Sequence, residues 1–442
     1  MTIESFHNIS VIGLGKLGAP LAAVLARTGH TVIGVDVNTE TIHAVNKGIA
    51  PVTEPQLQTF MDQAEGRLSA TNDFQHAVTH SDITFIIVPT PSDDKGYFSN
   101  AFVVAALKKI GAALQKKDSR HLVVVSSTVM PGAMDGELKT AIEETSNKTV
   151  GSALLGMCYN PEFIALGNII NNMLHPDFML IGESDQQAGD LLQQVHQTVC
   201  GQNTPFHRMN FINAEITKIS VNTYVTTKIS YANMLAEICE NIPGANVDVV
   251  TDAVGSDTRI GKKYLKGAIG YGGPCFPRDN RAFAALGQSL GANCDIAVAT
   301  DTINERQLDR LVKAVKTCTS GESAKVAVLG LAYKTDTPEI EHSQGMQLCE
   351  RLHEMGYHVT AHDPQAGENA APFLTNIAQI VHTPHATMED HETIIITTPW
   401  NEYRALDFGD HTVTLIDPWG LFKSADLPEG VTLISLGRKN SV

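Results

Sequence analysis

The run Ile9-Ser-Val-Ile-Gly13-Leu-Gly15-Lys-Leu-Gly18 decides the fold. Ile9–Gly13 reads as a buried strand and Leu17–Thr28 as a helix, so the three glycines fall in the turn between them. In that setting Gly13 permits the tight turn, Gly15 lets backbone approach a pyrophosphate, and Gly18 allows close helix–strand packing. The helix N-terminus adds unpaired amides and the positive end of a dipole. Asp36 ends the next strand, Thr31–Asp36. Its carboxylate suits the two ribose hydroxyls of a dinucleotide and repels a 2′-phosphate, so the stretch predicts NAD rather than NADP.

Working outward, Ile83–Val88 and Leu122–Ser126 read as further buried strands and Asn100–Leu114 as a helix. Such alternation builds βαβ units and a parallel sheet covered on both faces. Asn213 to Glu240 contains neither Gly nor Pro, and apolar residues recur at Ile216, Ile219, Val221, Tyr224, Val225, Ile229, Leu235 and Ile238. This predicts one long helix, apolar on both flanks and so buried on more than one side, with a dimer contact along it. A second α/β unit follows: strand Lys325–Leu329, a turn at Gly330 and a helix over Ser343–Met355. Gly356-Tyr-His-Val-Thr-Ala-His-Asp363 then echoes Gly29-His-Thr-Val-Ile-Gly-Val-Asp36. Thr393–Thr398 before Pro399 likewise echoes Thr84–Val88 before Pro89. The expectation is an α/β protein of two Rossmann-like, doubly wound parallel-sheet domains joined by a long central helix. The divisions are 1–199, 200–305 and 306–442, with a frayed end from Arg438 to Val442.

Composition narrows the class. With 43% apolar and 18% charged residues over 442 positions, the chain is not a disordered one. A formal charge of −16 leaves no basic surplus for nucleic acid. No basic and apolar leader opens the sequence, and its apolar runs are too short to span a bilayer, so neither export nor membrane is expected. Seven cysteines without a CxxC pair fit a reducing cytoplasm better than a disulfide scaffold or structural zinc. Seventeen histidines lie scattered without metal-ligand spacing, so no metal is expected.

A second stretch carries chemistry: Gly272-Gly-Pro-Cys275-Phe-Pro-Arg278-Asp279. A thiol among glycines and prolines, close to a guanidinium, has an exposed backbone setting and a cation that favours the thiolate. A buried structural cysteine is the plainer alternative on residue type alone.

In order along the chain, the glycine loop, Asn160-Pro-Glu162-Phe163, Lys218 with Asn222, and the Cys275 loop resemble the motifs of the UDP-glucose/GDP-mannose dehydrogenase family. Gly330-Leu-Ala-Tyr-Lys334-Thr-Asp336-Thr337 resembles a further one. The similarity runs over essentially the whole chain. It implies a nucleotide-sugar 6-dehydrogenase, most like those acting on UDP-glucose and serving polysaccharide or capsule precursors. Two NAD would oxidise the C6 alcohol to a carboxylate through a thiohemiacetal and a thioester on Cys275. The resemblance also assigns roles. Glu162 is the base for thioester hydrolysis, Lys218 and Asn222, one helical turn apart, steady oxyanions, and Asp279 orients water or a cation. Thr128 lies beside the nicotinamide, and Lys16, Leu17, Pro89 and Thr90 complete the cofactor set. Phe163, Tyr264, Lys266, Gly272 and Lys334 line the substrate site, and Arg259 reaches the neighbouring subunit's site in a homodimer.

Three positions depart from the family pattern. Arg278 stands for a lysine, Leu166 for a carboxylate near the substrate, and Glu341 for an arginine that meets cofactor phosphate. Leu166 leaves UDP-N-acetylhexosamines and GDP-mannose open as substrates. A β-hydroxyacid dehydrogenase would need no Cys275 and leaves the second lobe unexplained. Glu341 alone points toward a non-catalytic NAD- or nucleotide-sugar-binding regulator.

Overall fold

The computed structural model describes residues 6–319, 321, 323–388 and 391–439. It divides into two compact units, Met1–Ile219 and Ser220–Val442, and the division falls inside one helix, Phe211–Asn241.

The first unit holds eight strands: β1 (Asn8–Ile12), β2 (Thr31–Val35), β3 (Leu68–Thr71), β4 (Ile83–Ile86), β5 (His121–Val125), β6 (Leu155–Tyr159), β7 (Met179–Glu183) and β8 (Phe206–Met209). They lie in the order β3-β2-β1-β4-β5-β6-β7-β8. β4, β5 and β6 are buried at every position, as strands covered on both faces must be. All pairs are parallel except β6 with β7. After β6 the chain forms only the short helix Ile169–Leu174 and does not cross the sheet face, so β7 returns antiparallel. Asn160 ties this corner: its amide donates to Leu180 O (2.9 Å) and its carbonyl oxygen meets His196 Nε2 (2.7 Å). Strand order reverses direction between β1 and β4, which opens a crevice at their C-terminal ends.

The second unit's sheet comprises β9 (Lys325–Leu329), β10 (His358–His362), β11 (Ala378–Ile380), β12 (Thr393–Ile396), β13 (Val413–Asp417) and β14 (Val431–Ser435). Its order, β11-β10-β9-β12-β13-β14, repeats that of the first six strands, and every pair is parallel. Before this sheet come the helices Val247–Gly255, Phe276–Leu290 and Asp295–Cys318.

Two expectations need correction. The helix Phe211–Asn241 forms, but Ile216, Tyr224 and Ile238, read as core, are exposed. Its inward face also carries small polar groups. Thr226, Ser230 and Asn233 are buried there, with Ser230 Oγ donating to Thr300 O (3.0 Å) and Asn233 bonded to both Ile269 O and Ala268 N (2.9 Å each). Hydrogen bonding joins apolar contact by Ile219, Ala232, Ala236 and Cys239 in seating the buried side of the helix. Nor is Arg438 frayed: it bridges Asn246 and pairs with Asp248. Residues 440–442 of the expected tail lie outside the described residues.

The sequence echo between Asp36 and Asp363 is only partly kept. Asp363 follows β10 as Asp36 follows β2. Yet its Oδ2 accepts from Leu331 N (2.7 Å), Ala332 N (2.9 Å) and Trp400 Nε1 (3.0 Å), and its Oδ1 from Gln365 N (2.9 Å) and Ala366 N (2.7 Å). Asp363→Ala strips all these donors at once and should destabilise the second lobe by ~3 kcal/mol or more. The chain's two tryptophans, Trp400 and Trp419, both lie in this lobe, so urea unfolding followed by their fluorescence reads the effect. A shift below ~1 kcal/mol would contradict it.

Candidate functional site

In the first unit the glycine loop shows why each glycine is where it is. Gly13 has φ +94°, and a Cβ there would lie 2.2 Å from Ile87 O. A Cβ on Gly18 would lie 1.8 Å from Gly13 O, whereas one on Gly15 would meet nothing within 4 Å. Gly15 therefore answers no packing need of the protein itself. It leaves open the space over the start of the helix Gly18–Arg27, where backbone and dipole favour an anion. Asp36 is set beside this loop, its Oδ2 accepting from Leu14 N (2.7 Å) and its Oδ1 from Asn38 N (2.8 Å). It remains half-exposed and keeps lone pairs for further donors. This open cradle with its carboxylate fits a dinucleotide.

The loops after β4 and β5 are joined side by side. Ser127 Oγ donates to Val88 O (2.7 Å) and accepts from Val88 N (2.9 Å), and Thr90 Oγ1 donates to Thr128 O (2.7 Å). Thr90 is buried, Thr128 half-buried and Pro89 exposed. Lys218 is buried on the helix Phe211–Asn241. Its ammonium donates to the backbone carbonyl of Glu162 (2.6 Å) and sits 4.7 Å from the centre of the Phe163 ring. The Glu162 carboxyl is pushed up to about 7, mainly by burial and against the pull of the Lys218 ammonium. Leu166, four residues on, packs against the apolar core. A carboxylate does serve this loop from elsewhere: Glu54 accepts from Gly167 N (2.9 Å) and Ile169 N (2.7 Å).

In the second unit Cys275 occupies the N-cap position of the helix Phe276–Leu290, with Pro277 in the first turn. Of the seven cysteines it alone is exposed. Burial raises the thiols of Cys158 and Cys349, which favours their inert protonated form. Asp279 is fully buried one turn after Cys275, where its Oδ2 accepts from Asn222 Nδ2 (2.6 Å) and its Oδ1 from Arg278 Nε (3.0 Å) and Nη2 (2.9 Å). The guanidinium fork at position 278 is thus used as a fork. Gly272 and Gly273 form the floor of the thiol loop. A Cβ on Gly272 would strike His342 O (2.3 Å), and one on Gly273 the Tyr333 ring (2.6 Å). Gly273 N also donates to Glu341 O (2.9 Å).

The other expected substrate residues are less drawn together. Arg259 is exposed and folded back onto Asp257 (2.6 Å), Lys266 lies 3.6 Å from Asp248, and Tyr264 and Lys334 are exposed and half-buried. Tyr264 adopts φ +62° and meets Phe276 edge-on. Glu341 lies on the surface beside His342. Sequence reading passed over Tyr333, whose hydroxyl burial and the nearby Cys275 both make harder to ionise. It also passed over Ser127, Glu54 and Glu215. Among the described residues no cluster of His, Cys, Asp or Glu is arranged to hold a metal, and no helix is long and apolar enough to cross a membrane.

A nucleotide cradle in one α/β lobe and an exposed thiol at a helix N-cap position in the other unit point to a dinucleotide-dependent oxidoreductase as the class. Comparison with known proteins agrees. Residues 7–200 match the NAD binding domain of the UDP-glucose/GDP-mannose dehydrogenase family, 212–306 its central domain and 327–423 its UDP binding domain. The chain is 33% identical over 403 residues to the UDP-glucose 6-dehydrogenase AglM of Haloferax volcanii, spanning 90% of this chain and 93% of that protein. It is 34% identical over 360 residues to the GDP-mannose 6-dehydrogenase of Pseudomonas aeruginosa, spanning 80% and 81%. A UDP-glucose dehydrogenase structure from Pyrobaculum islandicum superposes with a TM-score of 0.91 at 32% identity, covering 100% of this chain and 99% of that one. The chain belongs to the UDP-glucose/GDP-mannose dehydrogenase family, and like it is an NAD-dependent oxidoreductase.

The glycine geometry separates folding from cofactor binding. Gly15→Ala should melt within about 1–2 °C of the parent, since nothing crowds the added methyl, yet lose roughly 10-fold or more in NAD affinity. Gly13→Ala should destabilise the first lobe itself by ~1–3 kcal/mol. Melting curves and NAD titration of both variants distinguish the two roles; equal loss of stability would refute the separation.

Proposed function

We propose that this chain oxidises the C6 hydroxymethyl group of a UDP-sugar, UDP-glucose foremost, to the carboxylate, with Cys275 carrying the covalent intermediate. The observation that carries this reading is the exposed Cys275 at a helix N-terminus, on a glycine floor shaped by Tyr333. The positive helix end favours negative charge on sulfur, while the guanidinium of Arg278, three residues on, is paired with Asp279. NAD, when bound through the Gly13–Gly18 loop, Lys16, Leu17, Asp36, Pro89, Thr90 and Thr128, takes a hydride in each of the two oxidations. Once the alcohol has become an aldehyde, the Cys275 thiolate adds to C6, an S–C bond forms and the oxygen gains a proton. Loss of that proton and of the second hydride leaves a thioester. Glu162, in its ionised form, draws a proton from water, the water oxygen bonds to C6, and the C–S bond breaks to return the thiolate. The ammonium of Lys218 and the amide of Asn222 donate to the oxygen as it becomes negative, and Asp279 holds Asn222 and Arg278 in place.

Phe163, Arg259, Tyr264, Lys266, Gly272 and Lys334 form the proposed substrate set, within a three-part division at 1–199, 200–305 and 306–442 and a cytoplasmic setting. The match to a UDP binding domain supports a UDP-sugar. The likeness to the GDP-mannose 6-dehydrogenase of Pseudomonas aeruginosa supports a second reading, the same chemistry on a UDP-N-acetylhexosamine or GDP-mannose.

We also propose a homodimer in which Arg259 reaches the neighbouring site. Tyr224, Tyr231, Met234 and Ile238 are exposed on one face of the helix Phe211–Asn241, while its opposite face buries small polar groups. An apolar stripe on the outside of a helix calls for a second helix. Sedimentation should therefore return twice the 47.6 kDa chain mass, and Tyr231→Asp the single mass. A wild-type monomer at micromolar concentration would refute this.

The chemistry is tested by counting NADH formed per sugar consumed over a panel of UDP- and GDP-sugars. Two per sugar are expected, and Cys275→Ser should yield at most one. A wild-type count of one would remove the thioester. Because Glu162 acts as a base only when ionised, the hydrolytic step should rise with pH through an inflection near 7. Glu162→Gln should abolish that inflection.

A further inference from the structure

Glu215 has no part in the chemistry above, yet it is fully buried on the helix Phe211–Asn241, three residues before Lys218. Its Oε2 accepts from Gly132 N (2.7 Å) and its Oε1 from Met134 N (2.8 Å). These amides lead into a π-helical turn, Met134–Leu138, in which Leu138 N reaches back to Ala133 O (3.1 Å). Such a turn starts with amides that have no helical acceptor, and Gly136 within it departs from helical geometry (φ −93°, ψ −115°). The far end of the turn is held by Asn100 Nδ2 donating to Glu137 Oε1 (2.7 Å). Just before it lies Thr128, tied through its carbonyl to Thr90.

We infer that Glu215 is a positioning residue for the cofactor side of the site: it clamps the segment that carries Thr128 to the same helical face that, through Lys218, fixes the Glu162 loop. This rests on the reading that Thr128 borders the nicotinamide. Packing alone gives no reason for a carboxylate here, because burying one is costly unless its oxygens are used. Both oxygens are used, and each on backbone of the one segment. Residues i and i+3 share a helix face, so the Thr128 segment and the Glu162 loop are gauged against a single rigid element.

The test is Glu215→Gln, which keeps the shape but turns an NH2 toward one of the two amides. NAD affinity, measured by titration, should fall roughly 10-fold, with kcat lowered, while UDP affinity by calorimetry stays within about twofold. Glu215→Asp, which retains both acceptor oxygens, should recover part of the NAD affinity. The exposed Glu137→Ala removes the acceptor for Asn100 and so loosens the same turn from its other end without threatening the fold, and should weaken NAD binding in the same direction by a smaller factor. Parallel loss of NAD and UDP affinity, or unchanged NAD affinity in the folded variants, would overturn the inference. Should Glu215→Gln fail to fold, Glu137→Ala decides: unchanged NAD affinity rejects the clamp. A wild-type enzyme that binds NAD but oxidises no nucleotide sugar would instead count against the proposed function.

Discussion

A polar side chain can be buried on a helix only if something satisfies it, and the helix Phe211–Asn241 meets that demand repeatedly along one face. Glu215 takes two backbone amides, Lys218 donates to the Glu162 carbonyl, and Asn222 donates to Asp279. Spaced i, i+3 and i+7, these side chains share a face; Glu215 and Lys218 each hold a loop, and Asn222 holds the first turn of the helix Phe276–Leu290. The sheets supply rigidity; the helix tells the loops where to stop. A substitution on this face is therefore felt first in loop placement.

The same helix shows where sequence periodicity misleads. Its length was legible because no Gly or Pro interrupts it, and its large apolar residues were read as core. On the interior side Ser230 and Asn233 bond to backbone more than thirty residues away, and Thr226 bonds to Thr223 O in its own helix and to the Asn280 side chain. Hydropathy patterns weigh apolar mass, and so assign a polar, close-fitting interface to the surface. The strands suffered less. β1, β2, β4, β5, β9, β10 and β12 are short apolar runs bounded by turn residues, and their edges agree within a few positions. Seven strands were not foreseen: β3, β8, β11 and β14 are edge strands of mixed burial, whereas β6, β7 and β13 are largely buried and were passed over.

The site was legible where chemistry is local. Gly13, Gly15, Gly18 and Asp36 declare themselves by sitting between a strand and a helix, and Cys275 by its turn-rich surroundings. Lys218 and Asn222 carried no signal beyond their spacing and stood on family resemblance. Tyr333, Ser127 and Glu215 were missed because what defines each is a partner far along the chain: Gly273, Val88 and Gly132 respectively. Leu166 looked like the loss of a carboxylate, and the structure shows a partly buried leucine packed against the core with Glu54 bracing the loop.

Two lobes of one strand order end their second strands in an aspartate, and the two carboxylates are put to different use. Asp36 accepts from the backbone amides of Leu14 and Asn38 and keeps acceptor capacity outward; Asp363 is turned wholly inward, accepting from four backbone amides and the Trp400 indole. A lobe can thus keep the architecture of a dinucleotide binder while surrendering the trade, because only lone pairs had to be reassigned. The two sheets match, and only the first keeps an acid with acceptor capacity turned outward.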